Sequence, residues 1–232
     1  MQDNKDFYQI IPKKYVKPIH TYDNYDRLKI QLPVRAVIAG SSGTGKTLAV
    51  MNFIDQFNCF DKFYLFIADT NEPLYKFLID YVTEKFGAKN IFISDSIADM
   101  PEVEEFDGEC NNLIIIDDML NEKDKDQLNA VNVYIKGRRK NCSIVYITQD
   151  FFKTIITIRK NSKVVILTRF DDPMDLENIL KKYKGRGLTM SQILKMYHYA
   201  TDGDLKNFFL IDCEAKGPMK FRKNFTPILM PQ

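Results

Sequence analysis

The chain has 232 residues, 45% hydrophobic and 28% charged, with 17 Phe and 12 Tyr, enough apolar material for one sizeable core and too much for a disordered chain. Its net charge of +2 excludes a global basic field, so any hold on nucleic acid has to come from local patches. No run reaches the roughly 18 uncharged apolar residues of a membrane span, and the opening MQDNKDFYQIIPKKY lacks the apolar core of a secretory signal.

Residues 1–33 read as a polar, aromatic-dotted lead-in, with a short strand expected at 27–32. Five nearly continuous apolar runs follow: VRAVIA (34–39), FYLFIA (63–68), LIIIDD (113–118), SIVYIT (143–148) and KVVILT (163–168). Such β-branched runs suit strands buried on both faces of a parallel sheet. NIFIS (90–94) suits an additional edge strand. Helical periodicity separates most of the runs. Residues 47–57 place Leu48, Met51, Phe53, Ile54 and Phe57 together. Residues 74–86 do so with Leu74, Phe77, Leu78, Tyr81 and Val82, and residues 123–136 with Leu128, Val131 and Ile135. Helices are expected at 173–183 and 189–197 and a late strand at 207–212. Strands alternating with helices predict an α/β fold with a mostly parallel central sheet flanked by helices. The expected division is a single domain over 1–232: lead-in 1–33, nucleotide-binding core 34–170, and extension 171–232.

Between the first run and its helix lies GSSGTGKT, Gly40 to Thr47, which satisfies G-x-x-x-x-G-K-[ST] at every position. Gly40, Gly43 and Gly45 let the backbone curl so that N–H groups, including those of Ser41, Ser42, Thr44 and Leu48, face phosphate oxygens. The helix start adds its positive dipole end. Lys46 reaches the β- and γ-phosphates, and the Thr47 hydroxyl ligates Mg²⁺. In LIIIDD, Asp117 suits the magnesium shell and Asp118 the polarisation of an attacking water. Gln149, ending SIVYITQD, suits a sensor of the terminal phosphate. Together these predict a P-loop NTPase of RecA-like, ASCE type, whose sensor strand lies between the two strands carrying the nucleotide motifs.

The guanine-reading N-K-x-D loop is missing after the acidic strand, which disfavours a GTPase. Arg138, Arg139 and Arg186 offer a weak imitation of a nucleoside-kinase lid, leaving that alternative open. The cluster KGRRKN before the sensor strand fits either an arginine finger acting on a neighbouring subunit's nucleotide or a solvated basic helix end. Cys59, Cys110, Cys142 and Cys213 are scattered and read as reduced thiols. His20 and His198 stand alone, and packing suits them better than metal ligation.

GSSGTGKT, LIIIDDM with its double Asp, and the arginine cluster followed by SIVYITQD resemble, in this order, the FtsK–HerA class of DNA-pumping ATPases. The resemblance is greatest to the short genome-packaging ATPases of poxviruses, other large DNA viruses and virophages. It covers about residues 33–150. It implies ATP and Mg²⁺ as cofactors, phosphate and metal roles for Lys46 and Thr47, metal coordination by Asp117, water activation by Asp118 and a sensor role for Gln149. It further implies a finger at Arg138 or Arg139, with Arg138 favoured. The partners it implies are duplex DNA, identical subunits in a ring of five or six, and a capsid or portal-vertex protein, with no membrane. The implied location is the virion or the viral factory in the host cytoplasm. Lys181, Lys182, Lys184 and Arg186, and the stretch 216–223, are candidate DNA contacts, with ordinary solvated faces as the alternative. A helicase or other ring ATPase, or a non-hydrolysing nucleotide-dependent switch, are the alternatives to a packaging translocase.

Overall fold

The computed structural model describes residues 10–12, 21–119 and 124–228. His20 and the first residue expected in the 123–136 helix lie outside them.

The sheet is built from the apolar runs. β1 (Arg35–Ala39), β2 (Lys62–Ile67), β3 (Ile91–Ser94), β4 (Asn112–Asp117), β5 (Cys142–Thr148) and β6 (Val164–Leu167) pair in parallel in the order β3-β2-β4-β5-β1-β6. β7 (Phe209–Asp212), β8 (Phe221–Lys223) and β9 (Thr226–Pro227) continue the same sheet antiparallel beyond β6. β5 therefore separates β1 from β4, the order expected for a sensor strand.

Successive side chains on the central strands enter opposite cores. Val37, Ile114, Ile144 and Val165 face one layer; Ile38, Ile115, Val145 and Ile166 face the other. The second layer is covered by α1 (Tyr25–Leu28), α2 (Lys46–Phe57) and α3 (Pro73–Phe86), through Leu28, Phe53, Phe57, Tyr75 and Leu78. The first is covered by α4 (Asp124–Lys136), α5 (Ile156–Asn161), α6 (Pro173–Tyr183) and α7 (Met190–Thr201), through Val133, Tyr134, Ile158, Ile179 and Ile193.

Three expectations are corrected. The strand expected at 27–32 is instead one helical turn, α1, closed by left-handed Lys29. Both flanks of β1 are already taken by β5 and β6, so no free edge is available there for another strand. In α3 the buried residues are Tyr75, Leu78 and Val82; Phe77 and Tyr81 stack on each other in solvent. In α4 the helix sits on Ala130, Val133 and Tyr134, while Leu128 (60% exposed) and Ile135 (40% exposed) face outward. Both helices carry apolar residues on two faces, and packing selects the face bearing a residue that also bonds into the sheet. Tyr75 bonds to Asp117 of β4, and Tyr134 to the Ala36 carbonyl of β1.

Candidate nucleotide site

The P-loop leaves the carboxyl end of β1 and turns into α2. Gly45 occupies the helix N-cap at φ 90°, with the Leu205 carbonyl against it, so a side chain there is excluded by conformation and by space. At Gly40 a Cβ would collide with the Thr168 hydroxyl at the end of β6. No side chain caps α2, and its first turn holds no acid. Its orphan N–H groups are therefore free for an anion.

The loop is held from the β6 side. The Thr44 and Thr168 hydroxyls bond at 2.8 Å. Ser41 N–H donates to the Arg169 carbonyl at 2.9 Å, and Asp171 N–H donates to Ser41 Oγ at 2.9 Å. Arg169 in turn donates to the carbonyls of Thr201 and Gly203, tying the end of α7 to the same corner.

Lys46 Nζ donates to the Gly40 and Ser41 carbonyls at 3.0 and 2.8 Å. Burial lowers its pKa, and the charges of Asp117 and Asp118 oppose that shift. Asp117, the last residue of β4, accepts a 2.7 Å bond from the Tyr75 hydroxyl. Burial raises the Asp117 pKa; the Tyr75 bond and the Lys46 charge pull it back. Asp118 takes a left-handed turn at φ 55° as the chain leaves the strand, and Gln149 Nε2 donates to its Oδ2 at 2.8 Å.

Gly40 to Leu48, Asp117, Asp118 and Gln149 thus meet at the carboxyl ends of β1, β4 and β5. The oxygen donors of Thr47 and Asp117 suit a hard divalent cation, and the uncapped loop suits a triphosphate. Arg138 and Arg139 are not brought to this cluster. They lie exposed on the turn Gly137–Lys140 at the amino end of the sheet. The 184–187 segment is a loop, as its glycines imply, with Gly185 and Gly187 at positive φ. Lys184 donates to the Leu188 carbonyl at 3.0 Å, while Lys181, Lys182 and Arg186 are exposed.

The 216–223 stretch is corrected in part. Arg222 is fully buried, donating to Asp212 at 2.8 Å and to the Leu28 and Met219 carbonyls, so it is a structural ion pair and no DNA contact. Tyr75, Thr168 and Arg169 were missed by the sequence reading. Thr168 carries the signal that singled out Gln149, a polar residue ending an apolar run. Tyr75 had no such signal, because the chosen helical stripe passed beside it. Among the described residues no helix is long and apolar enough to cross a membrane.

A family model described as Poxvirus A32 protein matches residues 22–211. B204, the DNA-packaging ATPase from Sulfolobus turreted icosahedral virus, matches in structure with a TM-score of 0.53 and 13% identity, over 82% of this chain and 96% of that chain. The genome packaging NTPase B204 from Sulfolobus turreted icosahedral virus 2 in complex with AMPPCP matches with a TM-score of 0.52 and 12% identity, over the same shares of 82% and 96%. ATPases 2 and 3 of EssC from Geobacillus thermodenitrificans match with a TM-score of 0.48 and 12% identity, over 63% of this chain and 34% of that chain; this chain thus spans about a third of that structure. No curated protein matches the chain.

Proposed function

The chain belongs to the Poxvirus A32 protein family, and from that premise we propose that it is an ATPase that packages viral DNA, working as a ring of identical subunits on duplex DNA. The observation that carries this reading is the meeting of an uncapped P-loop, the Asp117–Asp118 strand tip and the Gln149 sensor position at one end of the sheet. B204, which shares the fold, is a DNA-packaging ATPase by its description.

The residues divide the work as follows. The N–H groups at the start of α2 bind phosphate oxygens. Lys46 exchanges its two carbonyl partners for the β- and γ-phosphates. Thr47 and Asp117 hold magnesium, and Tyr75 fixes the Asp117 carboxylate from behind. Magnesium, when bound, neutralises charge on the phosphate oxygens. Asp118 accepts the proton of the attacking water, and Gln149 holds Asp118 in place.

A ring is supported by the placement of Arg138 and Arg139. They sit far from their own P-loop, so a role on a nucleotide requires a second copy. The outward Leu128 and Ile135 of α4, on the helix that leads into that turn, supply apolar surface for the contact. Lys181, Lys182 and Arg186 remain candidates for sequence-blind phosphate contacts, and a capsid or portal-vertex protein for the docking partner.

Hydrolysis measured alone, with duplex and with single-stranded DNA tests the reading. Duplex stimulation is expected, with MgATP binding lost in Lys46→Ala. Stimulation by single strands alone indicates a helicase, and binding without turnover indicates a switch.

A further inference from the structure

Opposite the nucleotide end, a cleft of about 690 Å³ opens between the chain leading into β1, the arginine turn, the start of β6 and the residues after β7. Arg35, the first residue of β1, lines it while only 6% exposed, and its Nε has no hydrogen-bond partner. The two acids that line the cleft already carry ion pairs. Asp212 pairs with Arg222 at 2.8 Å and Glu214 with Lys163 at 2.8 Å. Arg138 and Arg139 complete the lining, exposed and without a carboxylate partner among the described residues. Burial and then the charge of Arg138 push the Arg35 pKa down, while Tyr134 and the Glu214 carboxylate pull it back. Three guanidinium groups thus share one cleft with two acids, each of which already carries an ion pair.

A buried guanidinium with an unsatisfied N–H is costly, and a bound anion offsets that cost. Guanidinium forks match oxyanions in pairs of parallel hydrogen bonds. Several forks around one space offer more donors than the two oxygens of a carboxylate absorb; a phosphate group presents enough oxygens. We propose that this cleft is a phosphate-binding site, separate from the P-loop, in which Arg35 and Arg138 hold a phosphate group between them. The group arrives either as free phosphate or on the backbone of a nucleic-acid strand, and it engages Arg138 when that side chain is not on a neighbour's nucleotide.

The test uses the full chain carrying Lys46→Ala, which weakens the P-loop's hold on phosphate, with inorganic phosphate as the probe in calorimetric titration. Saturable binding is expected. It should weaken about tenfold or more in the added Arg138→Gln or Arg35→Gln variant, and less in Arg35→Lys, which keeps the charge but loses the fork. Arg138 is exposed, so its variant folds even if Arg35→Gln does not. A fluorescent duplex titrated in parallel separates the sources. Loss of duplex affinity in Arg138→Gln, with phosphate competing, identifies a strand phosphate. Phosphate binding lost while duplex affinity is unchanged identifies free phosphate. Absence of saturable phosphate binding, or binding unaltered by Arg138→Gln and Arg35→Lys alike, overturns the proposal. Hydrolysis plays no part, so an inactive nucleotide site leaves this result standing.

Discussion

Tyr75 holds one oxygen of Asp117 at 2.7 Å, so its hydroxyl sets the carboxylate assigned to the metal. Partners behind a metal ligand typically alter metal affinity by about 10–100-fold when removed. Tyr75→Phe keeps the ring that fills the core and deletes only that bond. The magnesium concentration giving half-maximal hydrolysis should rise about tenfold or more, while thermal unfolding shows a loss of about 1 kcal/mol. An unchanged magnesium midpoint would leave Tyr75 as packing alone. Gly40 and Gly45 illustrate the same scale. One is bare because the Thr168 hydroxyl occupies the space of a side chain, the other because of its φ and the Leu205 carbonyl.

α4 shows what periodicity does and does not determine. Its apolar positions fall on two sides, and Leu128 and Ile135 are the ones left in solvent. Leu128→Glu should change the stability of the isolated chain by no more than about 0.5 kcal/mol, whereas Ala130→Glu buries an unpaired carboxylate and should cost about 3 kcal/mol or more. Urea unfolding of the two variants checks this, and the opposite order would mean that the other face of the helix is buried. Strands were legible because a run buried on both faces needs no choice of side: LIIIDD and SIVYIT could only be central. Helix faces and the α1 turn were not, because which stripe packs, and whether a sheet edge is free, depends on neighbours far along the chain. Arg222 is the sharpest case. It stands beside Lys220 and Lys223, and its partners, Asp212 on the adjacent strand and the carbonyls of Leu28 and Met219, hold it inward. The P-loop and the double Asp were readable for the opposite reason, since their chemistry fixes residue type and spacing locally.

The whole molecule has two unlike ends. The carboxyl ends of the parallel strands gather the nucleotide motifs, and the amino ends gather Arg35, Arg138 and Arg139. If Arg138 acts on a neighbour, then Arg138→Ala and Asp118→Asn chains, each slow alone, should recover hydrolysis when mixed. Some interfaces then pair an intact finger with an intact acid. Activity followed across mixing ratios checks this, and a flat profile removes the cross-subunit role. β1 joins the two ends directly: Arg35 begins it and Gly40 follows its last residue. At about 3.3 Å per residue the two stand roughly 17 Å apart. Hydrogen-bonded to β5 on one flank and β6 on the other, the strand cannot stretch or buckle independently. The strand is a fixed spacer: the phosphate loop and the guanidinium at the far tip keep one separation, and neither end moves along the strand axis unless the flanking strands move with it.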